Sequence, residues 1–245
     1  MSDEPTSTEW ICLSDLLKQV GPAQSAPKWS RKEAATCQVL PVKVSKICRN
    51  RNHPKKGSCI KVEPIREIND VKLIREMLAG RPRDLLLFTL GINTNLRASD
   101  ITALTVGQVR HLQPLQDLEL RERKTKKLRR ISLNKSVTDA IAGFISTLPA
   151  EVPSSHPLFP SQRSDRALTV PTVSRMVKGW CKRAGLRGNY GSHTLRKTWG
   201  YHQRVTFGVD IPSLMVCFNH SNQRQTLDYL CVQPDELREV YSHEL

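Results

Sequence analysis

From Ile65 onward, apolar residues recur at helical spacing, and the pattern predicts a chain of helices interrupted by one β-rich stretch. The first helix is expected over Ile68–Leu78. Pro82 sits at a natural first-turn position for a second that runs through LLLFTLGI. Gly91 to Leu96 should break that helix, with Arg97 opening the next (ASDITAL). Residues Leu115–Arg121 and Leu128–Leu133 alternate around a basic turn and predict a hairpin. Helical patterns resume at Lys135–Thr147, Val170–Ala184, Thr194–Thr206, Ile211–Cys217 and Thr226–Tyr229, and Pro234–Val240 closes the chain. The expected fold class is therefore mainly α with a small antiparallel β-sheet. Phe88, Trp180, Trp199 and Phe207 fall on apolar helical faces and read as core.

The residues before Ile65 follow other patterns. Residues 1–27 are acidic, hold one possible amphipathic helix (EWICLSDLLKQVG) and end in the linker-like GPAQSAP. Residues 28–62 form a small basic N-terminal segment. Within it, Arg31–Gln38 and Val42–Arg51 read as two short helices around Val39-Leu40-Pro41. Ala34, Val39, Val44 and Ile47 fall where a helix-turn-helix buries small and apolar residues. Lys43, Lys46 and Arg49 would then face a DNA groove. NHPKKGSCIKV could be a basic wing, and the segment resembles the winged modules of excisionase and MerR type, although Gln38 stands where the turn usually has Gly. A flexible basic arm tracking phosphates is the alternative. A zinc site from Cys37, Cys48, His53 and Cys59 has the wrong ligand spacing for a finger or knuckle.

Charge sharpens this picture. The 245 residues carry a net +15, and the excess is localised. Residues 28–66 hold eleven Lys/Arg against Glu33 and Glu63; residues 121–130 (RERKTKKLRR) hold seven against Glu122. Two basic blocks on a near-neutral body are the footprint of a polyanion binder, which points to nucleic acid rather than a membrane surface. Hydrophobic content of 38% and charged content of 25% suit a globular protein. Seven scattered Cys without a CxxC, no signal-peptide pattern and no long apolar run lead to an expectation of a cytoplasmic protein.

The chemistry lies in four segments: GINTNLRASD (91–100), RERKTKKLRRISL (121–133), GSHTLRKTWG (191–200) and NHSNQRQTLDY (219–229). Exchange at a phosphodiester needs a nucleophile, a proton donor for the leaving oxygen, and positive donors for charge on phosphorus. Two arginines supply permanently charged planar forks for non-bridging oxygens. His193 and Arg196, at i and i+3, would share one helix face.

Together, and in this order, the four segments resemble the catalytic domain of tyrosine recombinases and phage integrases over residues 65–245. The resemblance implies Tyr229, nine residues after His220, as nucleophile and carrier of a 3′-phosphotyrosyl intermediate. It further implies Arg97, Arg196, His193 and His220 around the phosphate, Lys124 as general acid, and Asp100 as the carboxylate that orients Arg97. Arg123, Lys126 and Lys127 would contact DNA. The resemblance narrows the nucleic-acid partner to double-stranded DNA and implies no small-molecule substrate. No cofactor or metal is implied, and a homo-oligomer, a tetramer, would assemble on DNA.

Each residue also has a plainer role to weigh. Lys124 is chosen because it precedes Thr125, but Lys126 and Lys127 are close rivals. Among the other tyrosines (Tyr190, Tyr201, Tyr241), none keeps the spacing to His220, and Tyr241 reads as a packing residue. His53, His111, His156, His202 and His243 carry no motif and default to surface. The family usually carries a helical core-binding domain ahead of the catalytic one, and the pattern before Ile65 differs from it. Asn95 and Asn219 replace small residues common in the motif. Two other functions share part of the pattern: a type IB topoisomerase, and a non-catalytic or decayed integrase that keeps only DNA binding.

Overall fold

The computed structural model describes residues 62–162, 164–230 and 241–242. The possible helix-turn-helix with Lys43, Lys46 and Arg49, the cysteine set, His53, His243 and the Pro234–Val240 helix all lie outside them.

Among the described residues the fold is mainly α. Helices α1 (Ile68–Leu78) and α2 (Pro82–Asn93) are followed by single turns α3 (Ala98–Ile101) and α4 (Val106–Val109). Strands β1 (Asp117–Arg121) and β2 (Leu128–Ser132) pair antiparallel, with Leu118 opposite Ile131 and Leu120 opposite Arg129. Helix α5 (Lys135–Ile145) leads to a second, shorter antiparallel pair, β3 (Pro160–Ser161) and β4 (Ser164–Ala167). The chain then builds α6 (Val170–Arg183), α7 (Ser192–Val205), α8 (Ile211–Phe218) and α9 (Gln223–Leu230).

Local chemistry sets many of these starts. Pro82 occupies the first turn of α2, where its missing N–H is not needed. Asn134 accepts from Val137 N–H at the start of α5, and Asp210 from Ser213 N–H at 2.7 Å at the start of α8. At the start of α7 the relation is reversed, because Gly191 N–H donates to the Thr194 hydroxyl at 3.0 Å.

Helix α2 is the central element. Leu86, Leu87, Phe88 and Leu90 are fully buried, and each such side chain contributes about 2 kcal/mol of apolar burial. It packs against α1, α5 and α7. Phe88 meets Trp180 of α6 edge-on, with centroids 5.9 Å apart. The approach of α2 to α7 explains Gly91. A Cβ there would stand 2.5 Å from Leu195 Cδ1, so glycine continues the helix rather than breaking it.

A second small core, Leu214, Phe218 and Leu230, holds α8 and α9 against Trp199 of α7. The chain enters the fold at a fixed place. Ile65 N–H donates to Thr198 Oγ1 at 2.9 Å, His202 Nε2 lies 3.0 Å from Ile65 O, and Glu63 N–H donates to Asn189 O at 2.8 Å.

Several expectations need correction. Helix α2 runs through Gly91 to Asn93. Among the described residues two hairpins are present, not one, because β3 and β4 are too short to show an alternating pattern. Leu115 lies before the strand at φ 67° and is exposed. Phe207 is 68% exposed and Tyr241 89% exposed, so neither packs as expected. His202 and His156 are half-buried and hydrogen-bonded rather than surface residues.

Candidate active site

The polar residues singled out in the four segments converge where α3, the β1–β2 turn, α7, α8 and α9 meet. Helix α7 supplies two of them from its first turns. His193 is exposed at the start of the helix, whereas Arg196 is 1% exposed. The Arg196 guanidinium donates to the carbonyls of Asn95 and Phe218, the latter at 2.9 Å. Those carbonyls lie just before Arg97 and His220, so one buried cation joins the 91–100 and 191–200 segments to the end of α8. The guanidinium carbon lies 5.0 Å from the Phe218 ring centre and 5.5 Å from that of Tyr229. Burial, above all, lowers the Arg196 pKa to about 10, which leaves it charged at neutral pH.

Asn95 and Asn219 have a structural reason. Both adopt left-handed backbone, at φ 55° and 56°, which asparagine tolerates better than most side chains. Asn219 ends α8 and turns the chain so that His220 projects beside Tyr229. Asn95 Nδ2 donates to Cys217 O at 2.9 Å and ties the two turns together.

Tyr229 is half-buried on α9, and its hydroxyl lies 3.1 Å from His193 Nδ1. Its ring touches those of Phe218 and His220, each 5.3 Å away between centres. The His220 ring stacks on Phe218, and its Nδ1 lies 3.1 Å from the hydroxyl of buried Thr226. Burial and then the neighbouring cations Arg196, Arg97 and Arg129 push His220 down to about 4. His193 is lowered for the same kinds of reason: desolvation by the surrounding protein first, then Arg196, Lys197, Arg97 and Lys124. Both imidazoles are therefore neutral at neutral pH. A neutral His220 whose Nδ1 accepts from Thr226 presents Nε2–H as a donor.

The β1–β2 turn holds Lys124, which is exposed and within electrostatic reach of His193. Arg123, Lys126 and Lys127 share the turn and are exposed, with Lys126 at φ 59°. Beneath them is Glu122, fully buried and not anticipated from the sequence. Its carboxylate lies 2.7 Å from Arg97 Nη1, accepts from Arg129 Nη1 at 2.8 Å, and accepts from the Thr125 hydroxyl. Burial alone would raise this carboxyl, but the Thr125, Arg129 and Arg97 contacts outweigh it and hold the group at about 2.

The expected partner of Arg97 is thus corrected: its carboxylate is Glu122. Asp100 is also buried, but it accepts the Arg123 backbone N–H at 2.9 Å and so holds the turn. Two further residues were missed, Arg129 and Lys197. Arg129 donates to Cys217 O at 2.6 Å as well as to Glu122, and buried Lys197 lies 5.8 Å from the Tyr229 ring centre. Among the described residues no group of His, Cys, Asp and Glu is arranged to hold a metal, and no helix is long and apolar enough to cross a membrane.

The imidazole shifts imply a pH dependence of stability. An unfolded His220 protonates near 6.5, while the folded one stays neutral to about 4. Between those values the unfolded chain binds a proton that the folded chain does not. The stabilisation is complete above 6.5 and is lost as pH falls toward 4. The thermal midpoint should therefore fall between pH 7 and 5, and less steeply in His220→Asn. An identical slope in the variant would show that His220 takes up its proton as easily folded as unfolded.

Residues 66–236 match the phage integrase family. The probable integrase/recombinase YoeC of Bacillus subtilis (strain 168) is 33% identical over 183 residues, spanning 74% of this chain and 95% of that protein. The tyrosine recombinase XerC of Caldanaerobacter subterraneus subsp. tengcongensis is 32% identical over 162 residues, spanning 65% of this chain but only 44% of XerC. Among solved structures, the XerH site-specific recombinase bound to a palindromic difH substrate shares the fold. Its TM-score is 0.60 at 18% identity, over 75% of this chain and 54% of XerH. Sequence match, relatives and fold agree: this chain belongs to the phage integrase family, the tyrosine recombinases.

Proposed function

We propose that the chain is a site-specific DNA recombinase that cuts and rejoins strands through a 3′-phosphotyrosyl intermediate on Tyr229. The observation that carries this reading is the 3.1 Å approach of the Tyr229 hydroxyl to a neutral His193, with the buried cation of Arg196 beneath the same ring. Tyr229 Oη attacks phosphorus while His193 Nδ1 takes the phenolic proton. Arg97, Arg196 and His220 Nε2–H donate to the non-bridging oxygens as negative charge develops there. The bond to the 5′ oxygen breaks, and Lys124 gives that oxygen its proton. The phosphate ester to Tyr229 conserves the bond energy, so a 5′ hydroxyl from another strand reverses the steps without ATP.

The substrate is double-stranded DNA. Arg123, Lys126 and Lys127 contact its backbone beside the cut, and residues 28–62 add affinity or site choice through their excess charge. Exchange between two duplexes requires a homo-oligomer, a tetramer, on DNA.

Side-chain cations here do the work that a divalent ion does in many phosphoryl-transfer enzymes. Covalent protein–DNA adduct formation on a nicked suicide substrate should therefore proceed at the same rate in excess EDTA. Adduct formation lost in EDTA and restored by Mg²⁺ would overturn the mechanism. A protein that binds double-stranded DNA but forms no adduct under any condition would instead favour a DNA-binding role alone.

A further inference from the structure

Lys124 is exposed on a turn, a poor place for a group that must meet one oxygen within a few tenths of an ångström. Its two neighbours are not free to move. The Arg123 N–H is held by buried Asp100 at 2.9 Å, and the Thr125 hydroxyl donates to buried Glu122. Glu122 also closes the turn through its own backbone, since its N–H donates to Lys127 O and its C=O accepts from Lys126 N–H, each at 2.9 Å. The same carboxylate reaches outside the hairpin to Arg97, and to Arg129, which in turn grips Cys217 O three residues before His220. A fully buried carboxylate facing two guanidiniums is costly to desolvate, and a turn needs no such group for its own sake.

We infer that Glu122 is a positioning residue for the cleavage step: through Thr125 it sets where Lys124 stands, and through direct pairing it sets the orientation of Arg97. The inference rests on the Lys124 role proposed above. It makes Glu122, not Asp100, the shared anchor of the leaving-group acid and of one phosphate clamp. Arg129 completes the unit by fixing that anchor relative to the turn that carries His220.

A purely structural role would slow all substrates alike, so the test compares two of them. A 5′-bridging phosphorothiolate leaves as a thiolate and needs little protonation. Its cleavage rate divided by that of the normal phosphodiester therefore reports how well the acid is placed. The full-length protein is used, with adduct formation measured at saturating DNA. Lys124→Ala should raise the ratio by about 100-fold or more, the scale of general-acid catalysis. Glu122→Ala should raise it at least about tenfold, with a residual loss on both substrates from the misplaced Arg97. If Glu122→Ala does not fold, Glu122→Asp retains the charge on a shorter arm and should still raise the ratio severalfold.

A ratio equal to wild type in a folded Glu122 variant, alongside a raised ratio in Lys124→Ala, would overturn the positioning role and leave the recombinase reading intact. No rise in Lys124→Ala itself would remove the Lys124 assignment, and the inference about Glu122 with it.

Discussion

Tyr229→Phe is expected to bind DNA as tightly as the parent protein and to form no covalent adduct at all. The ring makes the packing contacts: it lies against Phe218 and His220 and over the Arg196 guanidinium, and phenylalanine keeps all three. What is lost is one oxygen with its contact to His193, worth about 1 kcal/mol of stability and the whole of the nucleophile's chemistry. Removing the nucleophile from enzymes of covalent mechanism costs on the order of 10⁶-fold in rate, beyond the range of a gel assay. Among the described residues, neither Tyr201 nor Tyr241 has a histidine hydrogen-bonded to its hydroxyl. The measurement is denaturing electrophoresis of labelled DNA after incubation, with binding followed separately by mobility shift. A protein-linked band in the phenylalanine variant would disprove the assignment.

The second large effect is expected at Arg196, where charge and shape can be separated. Arg196→Lys retains a cation but loses the planar fork that spans the carbonyls of Asn95 and Phe218. Cleavage should fall by about 100-fold or more, the size seen when one transition-state donor is removed, with DNA affinity little changed. Arg196→Ala goes further. It strips both buried carbonyls of their donor, at about 1–3 kcal/mol each, so a lowered thermal midpoint should accompany the loss of cleavage. A lysine variant that cuts at the parental rate would mean that positive charge alone suffices there.

The contrast between Arg196 and Glu122 shows what the sequence made legible. Arg196 stands three residues after His193 on an unmistakable helix, and the spacing of His220 to Tyr229 survives any small error in helix ends. Such groups can be read because local geometry presents them. Glu122 could not, because a lone acid in RERKTKKLRR reads as a solvated counter-charge, and only the fold turns it inward between Arg97 and Arg129. The β1–β2 hairpin and the α1 helix were legible as well, from strict alternation and from helical periodicity. Gly91 was misread because a glycine that breaks a helix and one that admits a neighbouring helix look the same until Leu195 is seen beside it. Phe207 and Tyr241 failed for the converse reason, since apolar character on a helical face does not say whether another element arrives to cover it.

The entry of the chain at Glu63–Ile65 bears on how a fragment of this protein would have to be cut. Helix α1 begins at Ile68, and an expression fragment starting at Glu67 would keep every described helix and strand. It would nevertheless remove the donor to Thr198 Oγ1, the acceptor beside His202, and the rung from Glu63 to Asn189. Thr198 lies two residues beyond Arg196 on the same helix. Trimming the fragment by five residues, from Val62 to Glu67, would thus loosen the support directly behind the reactive groups, and a truncated protein that binds DNA but cuts poorly would owe its defect to the trimming rather than to a missing domain.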